Sequence, residues 1–441
     1  MTRKSLDMLD VLQVEAGKAA ELINKHQFVR IFAHYDADGI SSASILGAAL
    51  FRNDTQFQVS FLNGLREPVD SDPDELVIFQ DMGSGQPDII SQVDSDVVIA
   101  DHHYPSGKVN AEKGFVHVNP HLAGIDGTYE LSASGVAYVI ANQLDDNADL
   151  SGLALVGIYG DKQKITGGNA EIVKEGVQNG YITEKNGLNL HSGKIGDVLP
   201  LSTEPYLDFY ENTEELKEFL ESLNIDEDTE LDQLNGEEVQ KLSNAIVLRV
   251  LDKGGFEGSV DGFVGKKFVL NNEVISNPVT LSEVVDSCGR ASEYGTGFSI
   301  CLRDENYVDR GMKLWRKFKI ELLEELKKRK NEIKEGESIR YIVMEDAPTT
   351  SAIATVLSRY LFSDKPLLVA NLKKNTVKIS SRSNSRVAER VDLADIMHKV
   401  AEEVGGRGGG HRVAAGANIE PEKLDEFIKE VDRLVGQSIQ Q

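Results

Sequence analysis

A chain of 441 residues is long enough for two or three domains with separate cores, and an apolar content of 40% with 39 glycines fits a loop-rich globular protein. The net charge of −25 argues against general affinity for phosphate backbones, so any nucleic-acid contact must be local and made by a few basic side chains. No apolar run reaches the roughly 18–20 residues that span a bilayer, the N-terminus lacks a signal-peptide core, and Cys288 and Cys301 are too few for a disulfide framework and wrongly spaced for zinc, so a cytoplasmic protein with reduced thiols is expected.

Taken in chain order, the first residues read as an amphipathic helix. Residues 28–33 read as a buried strand and 40–51 as the helix after it, with further short apolar runs at 76–79 and 97–100. Continuous rather than alternating apolar runs suit a parallel sheet covered on both faces, so the fold class is α/β. Residues 204–240 are strongly acidic, yet their apolar positions recur at helical spacing. Residues 313–333 have the periodicity of one long amphipathic helix. Three strands are then expected at 340–344, 366–370 and 377–380, in a smaller C-terminal α/β domain. The organisation reads as a parallel-sheet domain over 1–190, a helical and mixed middle region over 191–310, a connector helix over 311–336 and the C-terminal domain over 337–441. The middle region is the place expected to bind a partner.

Four polar clusters mark the first third of the chain: His34-Tyr35-Asp36-Ala37-Asp38-Gly39, Asp81, Asp101-His102-His103 and Asp161. Three begin where an apolar run stops, and in open α/β sheets ligands bind outside the carboxyl ends of the strands. Carboxylates gathered there would repel by roughly 4 kcal/mol per pair at 4 Å in an effective dielectric of about 20. Divalent cations are the natural neutraliser. In an extended segment, period-two spacing would place His34, Asp36 and Asp38 on one side, a donor set suited to Mn²⁺ or Mg²⁺. The bland alternative for that motif is a turn with an N-capping Asp. Asp81 alone is a turn residue, but in company it is the one to bridge two metals. Of His102 and His103, one can ligate a metal while the other meets a substrate phosphate. Asn119-Pro120-His121 and Glu130-Leu131-Ser132-Ala133-Ser134-Gly135 add polar groups for which turn and capping roles weigh at least equally.

Near the C-terminus, Gly405-Gly406-Arg407-Gly408-Gly409-Gly410-His411 exposes backbone N–H groups and reads as a concave anion receptor. Lys378-Ile379-Ser380-Ser381-Arg382-Ser383 offers a second basic, hydroxyl-rich strand.

In this order the motifs resemble those of the DHH phosphoesterase superfamily. The N-terminal signature is HxDxDG, Asp81, DHH and Gly160-Asp161, and GGRGGGH is similar to the family's C-terminal, DHH-associated domain. Within the superfamily the chain looks most like the archaeal RecJ-like, GINS-associated nucleases, through HYDADGISSA, NPHLAGIDG with SASG, Asp286-Ser287-Cys288-Gly289-Arg290 and GGRGGGHRVAAGA. The resemblance implies two Mn²⁺ or Mg²⁺ ions. His34 and Asp36 would serve one, Asp38, His102 and Asp161 the other, with Asp81 bridging. Bacterial RecJ-type motifs carry an acid where His34 stands, so the division of ligands between the ions stays open. Catalysis would rest on Asp81, Asp101 and His103, with His103 facing the scissile phosphate. The C-terminal domain would grip the strand through Arg382, Arg407, Gly408, Gly409, Gly410 and His411, with Arg290 as a further phosphate contact, and a narrow channel would exclude duplex.

The function implied is a metal-dependent exonuclease of replication and repair. It would release 5′-mononucleotides from single-stranded DNA, with RNA as a further substrate, in the 5′→3′ direction. A GINS-type replication complex is the implied protein partner, and no membrane is involved. Two competing readings are a phosphodiesterase for short oligonucleotides or cyclic dinucleotides and a replication-fork scaffold without metals. Members of the first branch are shorter, and a scaffold has no need of every ligand from His34 to Asp161.

Overall fold

The computed structural model describes residues 3–347 and 349–440, with side chains from Val11 onward. The chain divides into two compact units. One runs to Lys185 and is joined by Lys267–Arg316; the other combines Asn186–Lys266 with the chain from Lys317 on.

The first unit opens with α1 (Arg3–Ile23) and then alternates strands and helices: β1 (Phe28–His34), α2 (Ala37–Arg52), β2 (Gln56–Leu62), β3 (Leu76–Gln80), the one-turn α3 (Pro87–Ile90), β4 (Asp96–Ala100) and β5 (Phe115–Val118). Helices α4 (Ala133–Leu144), α5 (Ser151–Gly160) and α6 (Gly167–Gln178) follow, then β6 (Ile182–Leu188). The five strands β1–β5 form a parallel sheet in the order β2-β1-β3-β4-β5. The expected α/β class and parallel sheet are borne out. Every residue of β3 is buried, as its unbroken apolar run demands. Phe32, Val77, Phe79, Val97 and Ile99 project to one face, where Leu65, Ile90 and Val93 complete a core. Helix α2 is buried around almost its whole circumference and packs on β1 and β2, while α1 packs on β5.

Register is what positions the site. Ala33 pairs with Gln80, Gln80 with Ala100, and Ala100 with Val118. The next residues, His34, Asp81, Asp101 and Asn119, therefore leave the sheet side by side at its carboxyl edge. Backbone bonds from Asp81 N to Ala100 O (3.1 Å) and Asp101 N to Val118 O (3.2 Å) extend the ladder to that edge.

The middle of the chain carries α7 (Ile195–Leu201), α8 (Thr213–Leu223), α9 (Gly236–Asp252) and β7 (Val264–Leu270). The acidic stretch is helical, as its spacing predicts: Leu216 and Leu220 are the buried stripe of α8, and Asn235 with Glu238 forms a capping box that starts α9. The first unit resumes with α10 (Pro278–Arg290), whose N-cap is Asn277 with Pro278 at the first turn, and α11 (Tyr294–Cys301). Cys288 and Cys301 are buried thiols. The amphipathic helix expected over 313–333 is α12 (Val308–Arg329). It starts five residues earlier than expected because the 3-10 turn Glu305–Tyr307, capped by Asp304, leads straight into it.

The second unit is completed by β8 (Lys334–Glu335), β9 (Arg340–Glu345), α13 (Thr350–Tyr360), β10 (Leu367–Lys373), β11 (Thr376–Arg382), α14 (Ser385–Ala388), α15 (Leu393–Glu403), β12 (Arg407–His411), β13 (Ala414–Ile419) and α16 (Leu424–Gln440). Its six-stranded mixed sheet runs β12-β13-β11-β10-β9-β8, parallel only between β9 and β10. Leu368, Val377 and Ile379 from the sheet, with Ile339 just before β9, pack with Met397 and Val400 of α15 and Phe427 and Val431 of α16. Among the described residues, no helix is long and apolar enough to cross a membrane.

Candidate active site

At the end of β1, His34 places Nδ1 2.8 Å from Asp36 Oδ2 and 3.4 Å from Asp81 Oδ2. Asp36 is the N-cap of α2, its Oδ1 accepting from Gly39 N at 3.0 Å. The capping and ligand readings of this residue are thus compatible, one carboxylate oxygen for each. The same cap overturns the extended, period-two arrangement expected for 34–38. The helix begins at Ala37, so Asp38 lies in its first turn, fully buried. Its Oδ2 accepts from Ala133 N (2.8 Å) and its Oδ1 from Ser134 N (2.9 Å), both at the start of α4. Those amides hold a carboxylate at a helix N-terminus, where the dipole favours it.

Asp81 follows β3 with a left-handed backbone, φ +56°, sparsely populated for a residue with a side chain. Asp101 is fully enclosed. Its Oδ1 accepts from His102 N (2.8 Å), His103 N (3.1 Å) and His103 Nδ1 (2.8 Å), and its Oδ2 from Ser84 N (3.0 Å). Asp101 therefore ties the loop after β4 to the loop after β3. Asp161 caps the C-terminus of α5 rather than a strand, and its Oδ2 is 3.1 Å from His102 Nε2. That imidazole nitrogen is also 3.3 Å from Asp81 Oδ1 and 4.0 Å from Asp38 Oδ2. On the ring's other side, Nδ1 donates to Gly127 O at 2.7 Å, which sets the tautomer so that Nε2 faces the carboxylates.

The site is electrostatically crowded. Burial works against a charge on His34, but Asp36 and Asp81 outweigh it and hold that imidazole up at about 12. His102 is likewise raised by Asp161 and Asp81 against burial, and His103 is pushed up to about 9 by Asp101. Burial, then the neighbouring Asp81, raises Asp38 to about 6.

Asp81 Oδ1 and His102 Nε2 supply the test of whether the residues fit a metal. Both are buried and face one another, yet neither has a hydrogen-bond partner. Unsatisfied buried polar atoms are costly, and a divalent cation ligated by both would satisfy them. Three groups have ligating atoms within 4.8 Å of one another: His34, Asp36 and Asp81; Asp38, His102 and Asp161; and Asp81, Asp101, His102 and His103. Carboxylates with some imidazole suit Mn²⁺ or Mg²⁺, so the residues fit such ions.

The "DHH family, N-terminal domain" model matches residues 28–158 and the "DHHA1 domain" model residues 338–437. The chain is a DHH-family protein. An uncharacterized protein of Methanocaldococcus jannaschii is 30% identical over 98% of either chain, so this DHH-family layout is shared end to end. The single-stranded-DNA-specific exonuclease RecJ of Bacillus subtilis is 25% identical over 44% of this chain and 28% of its own length. The RecJ of Thermus thermophilus in complex with Mn²⁺ has the same fold, at a TM-score of 0.62 and 16% identity, over 97% of this chain and 55% of that one. The chain thus spans about half or less of these two RecJ proteins.

In the first unit, Arg290 ends α10 beside Tyr35 and Asp36, with its Nε 2.5 Å from Asp286 Oδ2. A Cβ on the preceding Gly289 would lie 1.8 Å from Tyr35 O, so α10 reaches the β1–α2 turn only because glycine stands there. Within the DHHA1 domain, Arg382 ends β11 and His411 ends β12, each opposite Ala414 of β13. Arg382 donates from Nη1 to Ser381 O (2.8 Å), and burial pulls its pKa down. The glycine run expected as an anion-receiving loop is instead the edge strand β12. A Cβ on Gly408 would come 2.3 Å from Met397 O of α15, and one on Gly410, φ +142°, 2.6 Å from Ala414 O. Close backbone packing explains these glycines as directly as any ligand.

Sequence reasoning missed the shell behind the ligands. Gln163 donates from Nε2 to Gly127 O (2.8 Å), and Asn169 Nδ2 donates to Gln163 Oε1 (2.9 Å), buttressing the carbonyl that orients His102. An amide two residues past Asp161 was the available signal. Gly157 was missed too: a Cβ there would lie 2.1 Å from Asp38 Oδ1 and 2.0 Å from Ser134 Oγ. Gly157→Ala is expected to cost about 1–3 kcal/mol through overpacking and to displace Asp38. A lowered thermal midpoint together with weakened Mn²⁺ binding checks it; wild-type values for both would show that the turn yields freely.

Proposed function

We propose that this DHH-family protein is a metal-dependent, single-strand-specific exonuclease of DNA replication and repair. It hydrolyses single-stranded DNA, and RNA as a second substrate, to 5′-mononucleotides with 5′→3′ polarity in the cytoplasm. The observation that carries the reading is the convergence of His34, Asp36, Asp38, Asp81, His102 and Asp161 from four separate stretches, with unsatisfied buried atoms at the centre. In this reading residues 1–190 carry the chemistry and residues 337–441 grip the strand. The relationship to RecJ supports the substrate class.

His34 and Asp36 would hold one ion, Asp38, His102 and Asp161 the other, with Asp81 shared. Two divalent ions bound there would supply Lewis-acid activation of water and neutralise charge on the phosphoryl oxygens. The chain's own groups do the rest. Asp101, as a positioning residue, holds the backbone of 102 and 103 and fixes Nδ1 of His103. The His103 side chain is 47% exposed, leaving Nε2 to donate to a phosphoryl oxygen. Gly127 O orients His102, and the amides of Ala133 and Ser134 orient Asp38. Arg290 stands beside Asp36 as a cationic contact for an adjacent phosphate. In the DHHA1 domain, Arg382 and His411 flank Ala414, and Arg407 with Gly408, Gly409 and Gly410 forms an edge strand whose outward N–H groups are available to phosphates. The acidic segment 204–240 is the proposed contact for a GINS-type complex.

Labelled single strands and matched duplexes, incubated with Mn²⁺ or with chelator, test this reading. Mononucleotide release from single strands alone, lost on chelation and restored by Mn²⁺, is expected, and blocked 5′ or 3′ termini read polarity. Failure to release nucleotides from any single strand in Mn²⁺ would overturn the nuclease assignment.

A further inference from the structure

Immediately after the DHH triplet stands Tyr104, which is 76% exposed although it adjoins a buried catalytic cluster. An exposed aromatic ring forgoes the stabilisation that burial would return. The ring is nevertheless held in place. It meets His121 edge to face, with centroids 5.3 Å apart and planes at 62°. His121 is anchored in turn: its backbone N donates to Asn119 Oδ1 (2.9 Å), and Asn119 Nδ2 donates to His103 O (2.8 Å). The imidazole sits over Gly127, where a Cβ would come 2.7 Å from Nε2. Gly127 is the residue whose carbonyl orients His102. Tyr104 and His121 are thus a pre-positioned aromatic pair built from the same loops that place His102 and His103. Two residues beyond Gly127, the half-exposed Tyr129 carries Lys164 Nζ 5.6 Å over its ring, a cation from the loop after α5 in a strongly acidic chain.

We propose that Tyr104, braced by His121, is a stacking platform for the nucleobase next to the scissile phosphate. The inference rests on the nuclease reading and deepens it, by naming a residue that recognises an unpaired base. Every base has a π face, so stacking on Tyr104 accepts any sequence, whereas a paired base keeps its faces inside the duplex. Stacking of this kind contributes about 1–3 kcal/mol per base. A protein occupant is less suited to the position, because anything seated on Tyr104 would also cover His103 next to it.

The test uses the full chain carrying Asp81→Ala, so that no strand is consumed, and single strands with 2-aminopurine at either end or a tetrahydrofuran abasic unit in its place. Tyr104→Ala is expected to weaken binding of the base-bearing strand by about 5–150-fold. It should also remove the advantage of that strand over the abasic one and relieve 2-aminopurine quenching. Tyr104→Trp should keep both. Phe51→Ala removes a ring that is 78% exposed in the last turn of α2, and should change neither. Equal losses on base-bearing and abasic strands, or no loss on either, would overturn the platform; no loss would leave Tyr104 to a protein partner. If Tyr104→Ala does not fold, a Tyr104→Trp variant that loses quenching overturns it equally. Base-dependent quenching in a wild-type chain that cuts no strand would sink the nuclease reading while leaving the platform standing.

Discussion

Asp81→Ala is expected to lower single-strand hydrolysis by about 10³-fold or more while leaving the chain folded. Asp81 is the acid common to the His34 and His102 groups, with Oδ2 3.4 Å from His34 Nδ1 and Oδ1 3.3 Å from His102 Nε2. Among the described residues, no other carboxylate pairs with both imidazoles. Charge stabilisation by bound metal is worth several kcal/mol, and each factor of ten in rate is about 1.4 kcal/mol, which sets the size of the loss. The effect on the fold should run the other way. Asp81 is buried beside Asp36 and Asp38, and burial together with the Asp36 charge raises its pKa. Removing one of several crowded acids relieves repulsion whenever metal is absent. In chelator, the variant should melt no lower than the wild type; in Mn²⁺, the wild type should gain the larger shift, because ligand binding to the native state stabilises it. Undiminished hydrolysis by the purified variant after metal exchange would remove Asp81 from the centre.

Asp101→Ala is expected to be nearly as damaging for a different reason. Its carboxylate takes no free position near the ligands; it accepts three backbone N–H bonds and the His103 ring. Alanine leaves those donors unpaired in a buried site, at about 1–3 kcal/mol for each left unsatisfied. Partners of this kind behind metal ligands are typically worth about 10–100-fold in affinity or activity. The loop carrying both His102 and His103 would come loose at once, so hydrolysis should fall by at least about 10²-fold. Unlike Asp81→Ala, this variant should melt below the wild type in chelator as well as in Mn²⁺. Two melting curves therefore separate a ligand from a positioning residue. A variant with wild-type stability and rate would show that the loop holds itself.

How far the site could be read in advance varies residue by residue. The runs at 76–79 and 97–100 announced strands because a sheet covered on both faces demands unbroken apolar sequence, and β3 and β4 are where those runs stand. Asp81 was legible only in company: nothing in its neighbours announces a left-handed backbone. The 34–38 motif showed its residue types but not its geometry, since a single hydrogen bond from Gly39 N to Asp36 turns the expected extended segment into a helix start. Tyr104 and Asn169 carried no periodic or motif signal, and Gln163 only its place two residues past Asp161. The glycines at 408 and 410 looked like an anion cradle, and the contacts of β12 with α15 and β13 give them a packing reason as well.

By itself, the order of residues determined the α/β class, the parallel sheet, the helical character of the acidic segment and the inventory of imidazoles and carboxylates. These follow from short-range chemistry: apolar runs, helical spacing and capping groups act within a few residues of one another. Only the tertiary structure decided which acid accepts which amide. Asp38 takes its hydrogen bonds from Ala133 and Ser134, about a hundred residues away, and His102 is aimed by the carbonyl of Gly127. Such partners are selected by how α4 and the loops after β4 and β5 pack against the sheet edge, and that packing leaves no periodic trace in the sequence.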